Sequence, residues 1–120
     1  MIGQEHAPLA RRAAALARVP AFAALVRPRL LDLAARFDEV TVADGTPLAV
    51  AGRPSHQVAV LLEGSLAECP IGVVGLGALL DGGISPETVT ARGATRLLVA
   101  GEAELGAIRA ALRESRRRQA

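Results

Sequence analysis

The residues of this chain whose types and spacing could do chemistry gather between Gly75 and Ala91, in the run GLGALLDGGISPETVTA. Gly75 opens a short apolar helical turn carried by Leu76, Ala78, Leu79 and Leu80, a loop containing Gly82 and Gly83 follows, and Thr88-Val89 begins a strand. Glycines let the backbone approach a ligand closely, so the layout is that of a pocket offering backbone N–H groups to an anion. Charged chemistry is missing from it. Asp81, Glu87 and Thr88 suggest acid–base work only if a second carboxylate, a histidine or a nucleophile converges on them, and no motif marks one. Carboxylates beside turn glycines ordinarily shape and solvate the turn.

Other reactive side chains are scattered. Ser55-His56 is a polar loop pair without a third member, and His6 and His56 lie 50 residues apart with no carboxylate pattern around them. Cys69 is alone, so neither an intrachain disulfide nor a cysteine-based zinc site can be assembled. The expectation is a non-catalytic protein with no metal and no cofactor.

At 120 residues the chain suffices for one hydrophobic core and is too short for two, so any effector function is expected to lie with a partner. Hydrophobic residues at 51% against 22% charged exclude disorder along most of it. All 14 basic residues are arginines, which reads as coding bias rather than selection for phosphate binding. With a formal charge of only +2, concentrated at Arg116 to Arg118, nucleic acid is not an expected partner. The N-terminus lacks a basic-then-apolar leader, and no apolar stretch reaches the roughly 20 residues a membrane span needs. The expected location is the cytoplasm.

The elements that must position the central run are legible from periodicity. Pro8 to Val19 predicts a helix with Leu9, Ala13 and Leu16 on one face and Arg11, Arg12 and Arg18 around it, and Pro20 stops it. Phe22 and Leu25 form an apolar knob, and Arg27-Pro28 opens a second helix with a stripe of Leu30, Leu33, Ala34 and Phe37. Short strands follow at Glu39 to Val42, Leu48 to Ala51, Gln57 to Leu62, Ser65 to Glu68 and Ile71 to Val74, with turns at Asp44-Gly45, Gly52-Arg53-Pro54 and Glu63-Gly64. Val89 to Ala91 and Thr95 to Val99 are two more, parted by Arg92-Gly93. Such spacing, about 8–12 residues, is that of a sandwich or barrel. Gly101 leads into a last helix with Glu102 and Glu104 in its first turn and Arg113 to Arg118 in its last, as the helix dipole favours. Leu105, Ile108 and Leu112 form its apolar face; nothing apolar remains beyond Leu112, so its end is expected to fray, with Glu114 and Arg118 as an intrahelical pair.

Four segments together carry a resemblance: LARVPAFAAL leading into a helix, GTPLAVAGRPSHQVAVLLEGSLA, GLGALLDGGISPETVTA, and ATRLLVAGEAEL. Over roughly residues 16 to 112 the chain resembles a cyclic-nucleotide-binding domain, the β-roll of catabolite-activator-type regulators, kinase regulatory subunits and cyclic-nucleotide-gated channels. The resemblance implies a mainly β fold with flanking α-helices, a double-stranded β-helix or jelly-roll-like β-roll preceded by N-terminal helices and closed by one C-terminal helix. The divisions expected are a helical part over 7–37, the roll over 38–100 and the helix over 101–118. Gly45, Gly52 and Gly64 match the roll's turns.

The family's phosphate-binding cassette reads Gly-Glu, an apolar turn, Arg, small residues and Thr-Val. Gly75 and Thr88 match it and are the ligand-binding residues the resemblance implies. Leu76 stands where the family has the glutamate that holds the ribose, and Ser85 where it has the arginine that pairs the phosphate. Pro86 follows, and proline has no N–H to offer. Losing two charge-assisted contacts removes roughly 3–6 kcal/mol, which is about two to four decades in affinity. The expected function is therefore a stand-alone regulatory or interaction module with a degenerate pocket, not binding cyclic AMP in the usual way. Its expected partner is another protein, or a second copy through the flanking helices, with at most a weak small-molecule ligand. Two alternatives stand beside it: a true small-ligand sensor using a displaced arginine, Arg53 or Arg92, and a cupin-like enzyme, which needs convergent histidines and carboxylates.

Overall fold

A computed structural model describes residues 6–69 and 72–119. The chain begins with α1 (Leu9–Ala17), whose N-terminus follows Pro8 and whose buried face carries Ala13, Ala15 and Leu16. Pro20 ends the helical run by starting a single 3-10 turn, Pro20–Phe22, that drives Phe22 into the core. α2 (Arg27–Ala34) has Pro28 in its first turn, where a missing N–H costs nothing, and buries Leu30, Leu33 and Ala34. Phe37 lies just past its end and is equally buried.

Five strands form among the described residues: β1 (Asp38–Val42), β2 (Pro47–Ala49), β3 (Gln57–Ala67), β4 (Val73–Val74) and β5 (Val89–Gly101). All pairings are antiparallel, in the order β1-β5-β3-β4 with β2 also on β5. The short strands read on either side of Glu63-Gly64 and of Arg92-Gly93 are in fact two long ones. Gly64 (φ 111°) and Gly93 (φ 70°) do not reverse the chain; they bend it. The β3–β5 register slips between Leu61 and Glu63 and again between Glu63 and Ser65, so each strand turns a corner and serves both ends of the roll. β1 joins one half of β5 and β2 the other. Ile71, the first residue of the strand predicted over Ile71 to Val74, lies outside the described residues.

Alternation along β3 and β5 separates two apolar cores. Val58, Val60 and Leu62, with Leu98 and Ala100, face α1, α2 and the C-terminal helix, while Ala59 and Leu97 face the interior of the roll with Leu66, Val74 and Val89. A one-residue slip of either strand would exchange the two sets.

After β4 come α3 (Leu76–Asp81), β5, a 3-10 turn at Glu102–Glu104 and α4 (Leu105–Gln119). The end of α4 is not frayed as the sequence implies: the helix continues through Gln119, and Ser115 is 1% exposed. Ionic contacts replace the missing apolar ones. Glu114 pairs with Arg29 of α2 at 3.0 Å rather than with Arg118, whose Nε donates to the Ala24 carbonyl at 3.0 Å. Arg36 reaches Glu104 at 3.5 Å, a further tie between α2 and the C-terminal segment.

Candidate ligand pocket

The central run forms the predicted helical turn and loop, and each end of it is fixed by a local backbone need. Gly75 caps α3 in the left-handed region, φ 85°, and its backbone lies against the start of β3. A Cβ there would drive into the Gln57 carbonyl oxygen and approach Ser55 Oγ to 2.9 Å, so only glycine fits. At the other end of α3, Gly82 is also left-handed and the Gly83 N–H returns to the Ala78 carbonyl at 2.9 Å, a glycine-closed C-terminus.

The loop after α3 is stitched to the turn after β2. Ser85 N–H donates to the Arg53 carbonyl at 2.8 Å and its own carbonyl accepts from Gly52 N–H at 2.9 Å. Thr88 Oγ1 accepts the Ala51 N–H at 3.0 Å, and β5 starts one residue later. Both matching residues thus have structural work: Gly75 seats α3, and Thr88 ties the loop.

Between α3, the end of β3 and this loop lies a cavity of about 370 Å³, within the size range of small-molecule sites. Gly75, Leu76 and Ala78 line one side, Val73, Val74 and Val89 the floor, and Ser85, Pro86 and Glu87 the other side, with Glu68 and Cys69 completing the wall. Thr88 is exposed and is not among the lining residues. No arginine is either. Arg53 borders a neighbouring cavity of about 430 Å³ that shares Ala49 and Ser85 with the first, and Arg92 is exposed on β5 opposite Ser65. Glu68, which borders the first cavity, is the non-glycine residue with positive φ among the described residues, at 65°, a conformation that costs energy and tends to occur beside functional sites.

Ser85, at the position of the family's arginine, is 4% exposed, lines both cavities, and its hydroxyl makes no hydrogen bond among the described residues. Leu79 points the other way, into the helical core with Ile108 and Leu112 of α4, and Leu76, Leu80 and Leu105 pack against that core. Arg109 of α4 donates to the Leu80 carbonyl at 2.6 Å. Sequence alone did not show this link, because a helix-surface arginine bonded 29 residues back carries no motif.

A second polar assembly missed in the sequence clips α1 to the sheet. Glu39 of β1, with a side chain 2% exposed, accepts the Ala7 N–H at 2.7 Å and pairs with Arg96 of β5. Arg96 also reaches Glu63, which in turn meets Arg11 of α1 at 3.4 Å. Burial alone would raise the Glu39 pKa, but the Ala7 N–H, the Arg96 charge and His6 outweigh it and hold it below the ordinary carboxylate value. Arg12 bonds the Phe37 carbonyl beside this assembly. Elsewhere, no three side chains of His, Cys, Asp or Glu come together among the described residues, and none of the described helices is long and apolar enough to cross a membrane.

Bent long strands, helices at both ends and a short helix held over the roll define the fold of the cyclic-nucleotide-binding domains, as the sequence resemblance implies. The N-terminal domain of a transcriptional regulator from Streptomyces coelicolor A3(2) superposes with a TM-score of 0.63 at 27% identity, over 83% of this chain and 85% of that one. The regulatory domain of Toxoplasma gondii protein kinase A, crystallised with cAMP, superposes with a TM-score of 0.70 at 14% identity, over 91% of this chain and 49% of that one. A mutant regulatory subunit of a cAMP-independent protein kinase A from Trypanosoma brucei, bound to cAMP in its A site, gives a TM-score of 0.63 at 18% identity, over 89% of this chain and 48% of that one. This chain therefore spans about half of each of the two kinase subunit structures. No sequence-family profile matches the chain, and no curated protein does.

Proposed function

We propose that the chain is a non-catalytic regulatory or interaction module, acting in the cytoplasm, whose cassette cavity is degenerate for cyclic nucleotides. The observation that carries this is the lining of the 370 Å³ cavity, which includes Glu68 and Glu87 and no cation. A cyclic phosphate placed there meets carboxylates instead of a guanidinium, and at Pro86 it meets a residue without an N–H. The kinship with regulatory domains of known structure favours a module that signals through its helices. In the Trypanosoma subunit, described as cAMP-independent, the form bound to cAMP is a mutant in which, among other changes, an arginine replaces a threonine. The arginine gained in that cAMP-bound form supports the importance of a guanidinium for the nucleotide.

The route to the helices is supplied by α3. Leu79 sits in the core shared with α4, and Arg109 fastens α4 to the α3 backbone, so movement of α3 is felt at α4 and, through Arg29 and Glu114, at α2. With Leu79 packed and no nucleotide required, the helices stay docked and present a fixed surface to a partner protein or a second copy. Calorimetric titration with cyclic AMP and cyclic GMP tests the reading. Dissociation constants weaker than about 10 μM are expected, and tighter binding of either nucleotide would overturn it.

A further inference from the structure

We infer that the cassette cavity takes an uncharged, mainly apolar small molecule with one hydrogen-bonding group, received by Ser85. The inference rests on the reading of this cavity as a ligand site that has lost its phosphate chemistry. Three observations carry it. The floor and the α3 side are apolar, with Val74, Leu76 and Val89 among them, which favours an apolar body. Glu68 and Glu87 are the charged residues in the lining, both exposed, and with no cation beside them they disfavour an anion. Ser85 is 4% exposed, borders the cavity, and its hydroxyl has no partner among the described residues. The hydroxyl is not sealed within the protein, so a ligand donor or acceptor in the cavity can take the place of water on it.

Serine is also the right chemistry for this task. Its hydroxyl both donates and accepts, so it serves an alcohol, a carbonyl or an ether, whereas the arginine of a phosphate site serves acceptors alone. Specificity then comes from a buried polar group that only a ligand of matching polarity can pair.

A matched set of probes tests this on the full chain. 2-Naphthol and naphthalene-2-sulfonate share one apolar body, the first uncharged with a hydroxyl and the second anionic. Titrations followed by backbone amide shifts are expected to show saturable binding of 2-naphthol, with shifts at Leu76, Ser85 and Val89, and binding of the sulfonate at least about tenfold weaker. Ser85→Ala, checked for an unchanged amide spectrum elsewhere, is expected to weaken 2-naphthol about five- to tenfold while leaving unsubstituted naphthalene unaffected. Ser85→Arg is expected to reverse the order of the two probes. Equal or tighter binding of the sulfonate to the unmodified chain overturns the inference. So does the lack of saturable binding by 2-naphthol up to its solubility, or a Ser85→Ala variant that binds it undiminished. None of these failures bears on the regulatory reading, which falls only to tight binding in the nucleotide titration.

Discussion

Arg109 of α4 donates to the carbonyl oxygen of Leu80, near the C-terminal end of α3, at 2.6 Å. The contact joins the helix over the cavity to the helix that packs on α2, and it satisfies one of the carbonyls that a helix end leaves without an internal partner. An arginine there also complements the negative end of the α3 dipole.

Arg109→Ala is expected to cost about 0.5–1.5 kcal/mol, because the bond is charge-assisted but exposed to solvent. Its sharper effect is local. Amide hydrogen exchange of α3, read at Leu79 whose N–H bonds Gly75, should speed up about three- to tenfold as α3 opens independently of α4. Arg109→Lys keeps a donor and should recover part of the protection. Unchanged α3 exchange in the alanine variant would show that the two helices are coupled by apolar packing alone.

Gly75 and Gly45 separate two reasons for glycine. Both have positive φ, 85° and 81°, but a Cβ at Gly45 meets nothing within 4 Å, whereas at Gly75 it collides with the Gln57 carbonyl and Ser55. Gly45→Ala should therefore cost about 1 kcal/mol of backbone strain, and Gly75→Ala about 2–4 kcal/mol, with overpacking added to strain. Urea midpoints for the two variants check the order. Equal losses would mean that β3 yields to the added methyl and that φ alone calls for glycine at Gly75.

What the sequence made legible follows from what is local. The apolar periodicity of α1, α2 and α4, and the stops at Pro20 and Gly82, are written in neighbouring residues, and the cassette's length placed α3 and the start of β5 correctly. Gly64 and Gly93 misled because a glycine beside a charged residue marks a reversal and a bulge alike; only the pairing of β3 with β5 along their whole lengths distinguishes them. Ser85 was recognised as the residue in the arginine's place, yet its burial depends on hydrogen bonds to Gly52 and Arg53 more than 30 residues away. The Glu39 assembly was invisible for the same reason, since Glu39, Glu63 and Arg96 come from three different strands and Ala7 from the segment ahead of α1.

Glu39 also makes stability depend on pH in a direction that can be derived. Its folded pKa is held below the ordinary value by Ala7, Arg96 and His6 despite burial, so the folded state binds the proton less readily than the unfolded chain. The stabilisation is therefore fully present above the unfolded carboxylate pKa of about 4.3 and is lost as the pH falls through the lower folded value. Glu39→Gln retains an acceptor for the Ala7 N–H but removes the charge that faces Arg96, and should cost about 1–3 kcal/mol at pH 7. Because the variant has no group to titrate at this position, the difference in stability between the two proteins should shrink from pH 7 towards pH 3, measured by urea denaturation at each pH. A difference that stays constant across that range would show that Glu39 holds α1 by shape and hydrogen bonding, with its charge contributing nothing.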